Sequence, residues 1–470
     1  MKDLIMNNFL MKALLDFSGW IWGDPMLVIL GVGGLFLMFR LGGIQIRHFK
    51  YVCSQTLGKM FEKSDNAEAA GTLRPIQALC TALANTVGSG NIVGVGLAIA
   101  WGGPGAVFWM WLLAIIGMST KFAEAVLGQK YRTTNEHGEF VGGPQYFLAK
   151  GLKKYHLGWL GGFYAVALVC ECFGDTMLQC NSMTNALREA FGWNVYIVGA
   201  VITVTIAYGL FGRVKRIGDM AGKVVPAMAV IYIVSTLIFI VCNITKVPGV
   251  IAMIFEYAFK PMAATGGFAG ATLAATMRWG FARGAYSNEA GDGTASIAHA
   301  TAITDHPVRQ GLFAVMEVFL DTIVVCSCTA FAILLSGVWT APGIADKASV
   351  ITTVAFSSEW GFIGKTIVAV SLSLFAWTSL LAYAWYGEKQ AEFLGGPKVA
   401  IVIRCVLIGS VFCGTFWDAE ILWPFNDLFF AFMILPNIIG VLLMNGEVRE
   451  LVHEYFHTPG KFYLKDIEGK

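Results

Sequence analysis

Apolar stretches of about 20 residues recur along the whole chain, separated by short polar segments, and each is long enough to cross the hydrocarbon core of a bilayer. None shows the roughly ten-residue alternation of a membrane β-barrel, so the pattern predicts helices. They fall at 25–40, 75–101, 105–130, 158–187, 193–211, 224–244, 267–300, 310–338, 361–386, 399–415 and 421–444, eleven in all. Amphipathic stretches at 48–61, 143–152, 249–259 and 349–356 predict surface or re-entrant helices joining them.

Two of the spans are interrupted. The second contains TVGSGNIVGVG, with Gly88, Gly90, Gly94 and Gly96, and the seventh contains WGFARGAYSNEAGDG, with Gly280, Gly284, Gly291 and Gly293. With the first span set aside, ten remain as two fives, each opening on a glycine-interrupted helix. Five is odd, so the halves must lie in opposite orientations, which is the layout of an inverted-repeat secondary transporter. The chain then divides into an extra N-terminal transmembrane helix and linker (1–72), a first five-helix repeat broken near 86–91 (73–248), a second broken near 280–293 (249–446) and a C-terminal tail (447–470). Small residues also suit close helix packing. Packing leaves unexplained the polar group Arg283, Ser287, Asn288, Glu289 and Asp292 within the seventh span.

Composition agrees: 56% of the residues are apolar, only 14% are charged, and the mean hydropathy is +0.64, far from the soluble balance of about a quarter charged. An all-α polytopic membrane protein is the expected class. Of the 33 Lys and Arg, 23 fall in alternate connecting segments and the tail; the positive-inside rule then puts the N-terminus outside and the C-terminus in the cytoplasm, as an odd number of spans requires. The short loops fit a prokaryotic inner membrane. The first span lacks a small-residue cleavage site after it and reads as retained. Nine of the ten cysteines lie in or at the ends of spans, where free Cys acts as a small apolar residue. His453-Glu454-Tyr455-Phe456-His457 satisfies H-E-x-x-H, but near the chain end, with no surrounding domain or third ligand, it does not read as a zinc site. GSGNIVG has the wrong last spacing for a dinucleotide loop and no strand before it.

A helix broken at membrane depth exposes amides and carbonyls that lipid leaves unsatisfied, so it persists only where a cavity or solute meets them. The half-helix beginning near Gly90 offers amides and a positive dipole end to a carboxylate, and the freed carbonyls suit a hard cation. Polar side chains recur nearby. Glu171, Asp175 and Gln179 are spaced by four on one helical face, as are Glu317 and Asp321. The acidic pair on the fourth span is expected either to pair with Arg278 or Arg283 or to line the bundle interior. Glu289 and Asp292 are expected to pair with Arg283 or with backbone at the break. Phe281 is placed to cap a small apolar side chain, and Trp377 to be either a pocket wall or lipid-facing.

The runs LANTVGSGNIVGVGLAIAWGGPGAVFWMW, RGAYSNEAGDGTASIAHA and LFAWTSLLAYAWYGEKQ resemble three signatures of the alanine or glycine:cation symporter family, in the family's order, and the likeness covers nearly all of the chain. It implies sodium-coupled uptake of small neutral amino acids on a leucine-transporter-like fold of ten helices with one extra helix in front, and no enzymatic activity. It sets the substrate carboxylate against the backbone of Gly88, Ser89 and Gly90, beside Asn91, with Asn85 and Thr86 one turn away and Gln179 as a further substrate contact. Thr378 and Ser379, with Thr86, become the sodium-site residues. A threonine often stands in the family where this chain has Ser89, a change that keeps the hydroxyl. Proton coupling through Glu317 and Asp321, on the same fold, stays open, as does an ion channel with broken helices around a filter. No nucleic-acid partner or obligate protein partner is expected.

Overall fold

A computed structural model describes residues 9–59, 72–263, 270–417 and 419–468. The predicted start of the seventh span at 267, the end of the 48–61 stretch and most of the following linker lie outside the described residues. The rest is mostly helical; the strands among the described residues are the two-residue pair Thr133–Thr134 and Phe140–Val141.

Seven helices among the described residues are long and apolar enough to cross a membrane, and the pair Pro75–Thr86 and Gly90–Gly102, bent by 51°, makes an eighth if counted as one span. The other predicted spans exist as segments that length and apolarity alone do not select. Val195–Leu210 is apolar but short. The seventh is split into Leu273–Asn288 and Ala295–Ala300. The ninth and tenth lie within one helical run, Ile351–Cys413, whose backbone leaves helical geometry at Gly361 (φ 53°) and Gly396 (φ 76°). A left-handed glycine followed by Pro397 turns the chain there, because glycine alone enters that region without a Cβ clash and proline adds no donor.

Local sequence explains many of the ends. Proline opens Pro75–Thr86, Pro144–Gly151 and Pro307–Val318, where its missing N–H costs nothing. The Asn194 side chain accepts from the amides of Tyr196 and Ile197 and caps Val195–Leu210, and Thr272 does the same for Leu273–Asn288 through Ala275. Leu160–Phe191 packs along Ile351–Cys413 and against Ala419–Leu443, and Asp24–Arg40 lies on Ala106–Lys130. The tail folds back onto the bundle: Arg309 pairs with Asp466 at 2.8 Å, and Glu447 pairs with Lys130 at 2.6 Å. The rings of His453 and His457 stack on each other, Glu454 turns toward His306, and among the described residues no group of three His, Cys, Asp or Glu could hold a metal.

Close approach is set by glycine. A Cβ on Gly105 would stand 2.1 Å from the carbonyl oxygen of Tyr257, whereas one on Gly162 would meet nothing within 4 Å. Gly105→Ala is therefore expected to destabilise the protein by about 1–3 kcal/mol through overpacking. Thermal unfolding in detergent checks this, with a lowered midpoint for Gly105→Ala and an unchanged one for Gly162→Ala.

Candidate functional site

The first break follows Thr86. Val87 leaves the helix (φ −82°, ψ 82°), and a π-helical turn over Gly90–Gly94 restarts it. The amide of Gly88 donates to Asn91 Oδ1 at 2.9 Å, and that of Ser89 to Gln179 Oε1 at 3.2 Å. Side-chain carbonyl oxygens thus stand where the sequence led us to expect a solute carboxylate. The break is tightly enclosed: a Cβ on Gly88 would be 2.4 Å from Ser379 Oγ, and one on Gly90 would be 3.1 Å from the Tyr286 ring.

On the carbonyl side, Ser379 Oγ lies 3.1 Å from the oxygen of Ala84 and 3.2 Å from that of Asn85, and 3.2 Å from Phe375 O on its own helix. It is the hydroxyl that reaches from the Ile351–Cys413 run to the freed end of the first half-helix. Thr378 and Thr86, expected beside it, do otherwise. Thr378 Oγ1 bonds its own helix at Phe375 O (2.9 Å) and points toward Met228, and Thr86 Oγ1 bonds Ala82 O at 3.4 Å. Each residue of an α-helix rotates the next side chain by about 100°, so two neighbouring hydroxyls do not share a face.

The second break begins where Glu289 adopts φ 54° after Leu273–Asn288, and continues through Gly291 (φ 114°) and Gly293 (φ 84°). Glu289 does not pair with Arg283. Its carboxylate accepts from Asn85 Nδ2 (2.6 Å), Tyr383 OH (2.6 Å) and Thr294 Oγ1 (2.9 Å), joining the two breaks directly. Asp292 accepts from the amide of Thr294 at 3.0 Å, so the expected backbone pairing at the break is present there. Arg283 instead pairs with Asp427 at 2.8 Å beneath the Trp423 ring, and Arg278 lies over Trp279. The pairing of Glu171 or Asp175 with either arginine is replaced by hydrogen bonds: Asp175 Oδ1 accepts from Tyr286 (2.8 Å), Gln179 (3.2 Å) and Asn426 (3.4 Å), and Glu171 from Asn426 (3.3 Å).

A third link crosses between the breaks. Asp321 Oδ1 accepts from Asn91 Nδ2 at 2.5 Å and Oδ2 from Ser287 Oγ at 2.9 Å, one donor from each broken helix, while Thr322 adds a third at 2.8 Å. Asp321 sits in a π-helical stretch, Phe319–Cys326, and this separates it from Glu317, which faces Lys121 and His299 instead. The shared face expected from their spacing holds only for an unbroken α-helix.

Asn85, Gly88, Ser89, Gly90, Asn91, Gln179 and Ser379 thus converge. Phe281 and Trp377 do not join them. Phe281 packs against Trp109 and beside Gly31 on the first span, and Trp377 donates to Thr205 at 2.9 Å. The aromatic at the break is Tyr286, which sequence reasoning passed over although it stands next to Ser287. Lys121, which lies within the predicted 105–130 span and to which the sequence assigns no role, is fully buried in Ala106–Lys130. Two cavities of about 140 and 160 Å³ open elsewhere, the larger lined by Trp22, Trp279, Arg283 and Asp427, and neither reaches Gly88 or Gln179.

Removing the Asp321 acceptor leaves the buried donors of Asn91 and Ser287 only a weak acceptor, Cys326 Sγ at 3.3 and 3.0 Å, a loss of about 1–3 kcal/mol each. Asp321→Ala is expected to lower the thermal unfolding midpoint by several degrees, and Asp321→Asn, which keeps one acceptor, by less.

A family model described as the sodium:alanine symporter family matches residues 7–464. The chain is 44% identical over 450 residues to the transporter YflA of Bacillus subtilis, covering 96% of this chain and 94% of that one. It is 41% identical over 433 residues to the sodium/alanine symporter AgcS of Methanococcus maripaludis, covering 92% and 94%. Among solved structures, a manganese transporter of Eremococcus coleocola shares the fold, with a TM-score of 0.55 at 12% identity over 85% of this chain and 93% of that one.

Proposed function

The chain belongs to the sodium:alanine symporter family of multi-pass membrane transporters, and from that premise we propose that it imports alanine, glycine or a similarly small neutral amino acid together with sodium. The layout is eleven spans in two inverted fives behind an extra N-terminal helix, in a prokaryotic inner membrane with the N-terminus outside and the C-terminus in the cytoplasm. Access to the buried breaks alternates between the two sides.

The observation that carries this reading is the first break itself. It gathers amide donors at Gly88 and Ser89 and carbonyl acceptors at Ala84 and Asn85 within one enclosed space, with Gln179 and Ser379 facing them. Those are the opposite dipoles that a zwitterion and a small cation require. Arrival of a carboxylate would displace the oxygens of Asn91 and Gln179 from the two amides. The exchange is one hydrogen bond for another, so each side chain acts as a stand-in that keeps the empty break satisfied. Sodium would be held by the Ala84 and Asn85 carbonyls with Ser379 Oγ, all oxygen ligands suited to a hard cation. Close packing of Tyr286 and Ser379 around Gly88 and Gly90 limits the side chain of the solute to small groups.

A second reading rests on a separate observation. Asp321 bonds both broken helices at once, so a proton on that carboxyl would remove an acceptor from the link, and coupling to protons would pass through it. Uptake into proteoliposomes separates the two. Labelled alanine is expected to accumulate under an inward sodium gradient; accumulation in potassium under an imposed pH gradient alone would favour Asp321 as the coupling group.

Within the sodium reading, Ser379→Ala is expected to raise the sodium concentration for half-maximal uptake about tenfold, corresponding to about 1.4 kcal/mol. Thr378→Ala is expected to change it little, because that hydroxyl reaches no carbonyl of the first break. Gln179→Ala is expected to raise the alanine KM. Equal sodium dependence in Ser379→Ala and the unsubstituted protein would remove Ser379 from the ion site.

A further inference from the structure

The two breaks present their freed carbonyls to different partners. At the first, the carbonyls of Ala84 and Asn85 meet a neutral hydroxyl, that of Ser379. At the second, the carbonyl of Asn288, the last residue of Leu273–Asn288, accepts from the ammonium of Lys121 at 2.6 Å. The same ammonium pairs with Glu317 at 2.8 Å, with both side chains fully buried.

We propose that Lys121 is a built-in cation that occupies the second break permanently, so that the carrier uses a single mobile sodium ion, at the first break, for each amino acid moved. The proposal rests on the symport reading above.

The position is costly enough to call for an explanation. A buried ammonium loses several kcal/mol of hydration, which a partner must offset, and the middle of a membrane-spanning bundle is among the most expensive places to put one. The surroundings do offset it. A helix C-terminus carries a partial negative charge, and Asn288 supplies its terminal carbonyl at 2.6 Å. Glu317 from the facing helix supplies a carboxylate oxygen at 2.8 Å. Glu317 is itself fixed on its other oxygen by His299 Nε2 at 2.9 Å, and His299 Nδ1 by Gln310 at 2.7 Å. The ammonium therefore meets a prepared set of oxygens, a carbonyl at a helix end and a carboxylate, which is the donor chemistry that a free sodium ion would use. A cation held by a covalent stem neither dissociates nor competes with sodium, so it neutralises the second break at no cost in ions moved.

The reaction is tested by the ratio of sodium to alanine. In proteoliposomes clamped at known membrane potentials, the sodium gradient at which net alanine flux vanishes gives that ratio. The unsubstituted protein is expected to move one sodium per alanine. In Lys121→Met the emptied oxygens should admit a second ion, doubling the ratio and raising the Hill coefficient for sodium from about 1 to about 2. Lys121→Arg, which keeps the charge, should retain the original ratio. A ratio of two in the unsubstituted protein, or an unchanged ratio and Hill coefficient in Lys121→Met, would overturn the proposal. If Lys121→Met does not fold, the ratio of the unsubstituted protein decides alone. Absence of any sodium-driven flux in that protein would instead overturn the symport reading, so the two failures are distinct.

Discussion

A backbone hydrogen-bonding group inside a bilayer must find a partner within the protein, and the core of this molecule follows from that constraint. Two helices are broken inside the bundle, at buried positions, and the polar side chains around them are arranged to satisfy what the breaks expose. Asn91 and Gln179 take the amides of Gly88 and Ser89, Ser379 takes the carbonyls of Ala84 and Asn85, and Lys121 takes that of Asn288. These partners in turn need partners of their own. Asn91 is fixed by Asp321, Gln179 by Asp175, and Asn85 by Glu289. The carboxylates that look isolated along the chain are thus the outer layer of a network whose centre is exposed backbone.

The network also explains how the two broken helices are tied together. Asp321 and Glu289 each accept from both, through Asn91 and Ser287 in one case and Asn85 and Thr294 in the other. A solute or ion that changes the bonding at the first break must therefore change the balance of forces on the second. Energetic coupling needs a physical connection with more than one arrangement; here the connection is a small set of buried hydrogen bonds through Asn91, Ser287, Asn85 and Thr294. Tyr286 extends it, since its ring covers Gly90 while its hydroxyl holds Asp175.

Much of this was legible in the sequence, for stated physical reasons. Clustered glycines marked both breaks, because few other residues permit an interruption of that kind, and Gly291 and Gly293 do adopt positive φ. The i, i+4 spacing of Asp175 and Gln179 brought them to one face, and they are bonded. Other features left no sign. The π-helical stretch after Val318 rotates Asp321 away from Glu317, and nothing in the residues of that segment announces an extra residue in the turn. Lys121 lies within the predicted 105–130 span, but a single cation among apolar residues gives no hint of whether it faces the bundle interior or the membrane boundary. Phe281 and Tyr286 carry rings of the same size on one helix, and only the packing of Leu273–Asn288 against its neighbours decides that Tyr286 and not Phe281 faces the break.

An amino acid and its ion held together at one break are each bound less well alone. The most direct measurement is equilibrium binding of labelled alanine to the purified protein in sodium and in potassium at equal ionic strength. Saturable binding in sodium and a large loss of affinity in potassium are expected; equal affinity in the two salts would contradict a shared site.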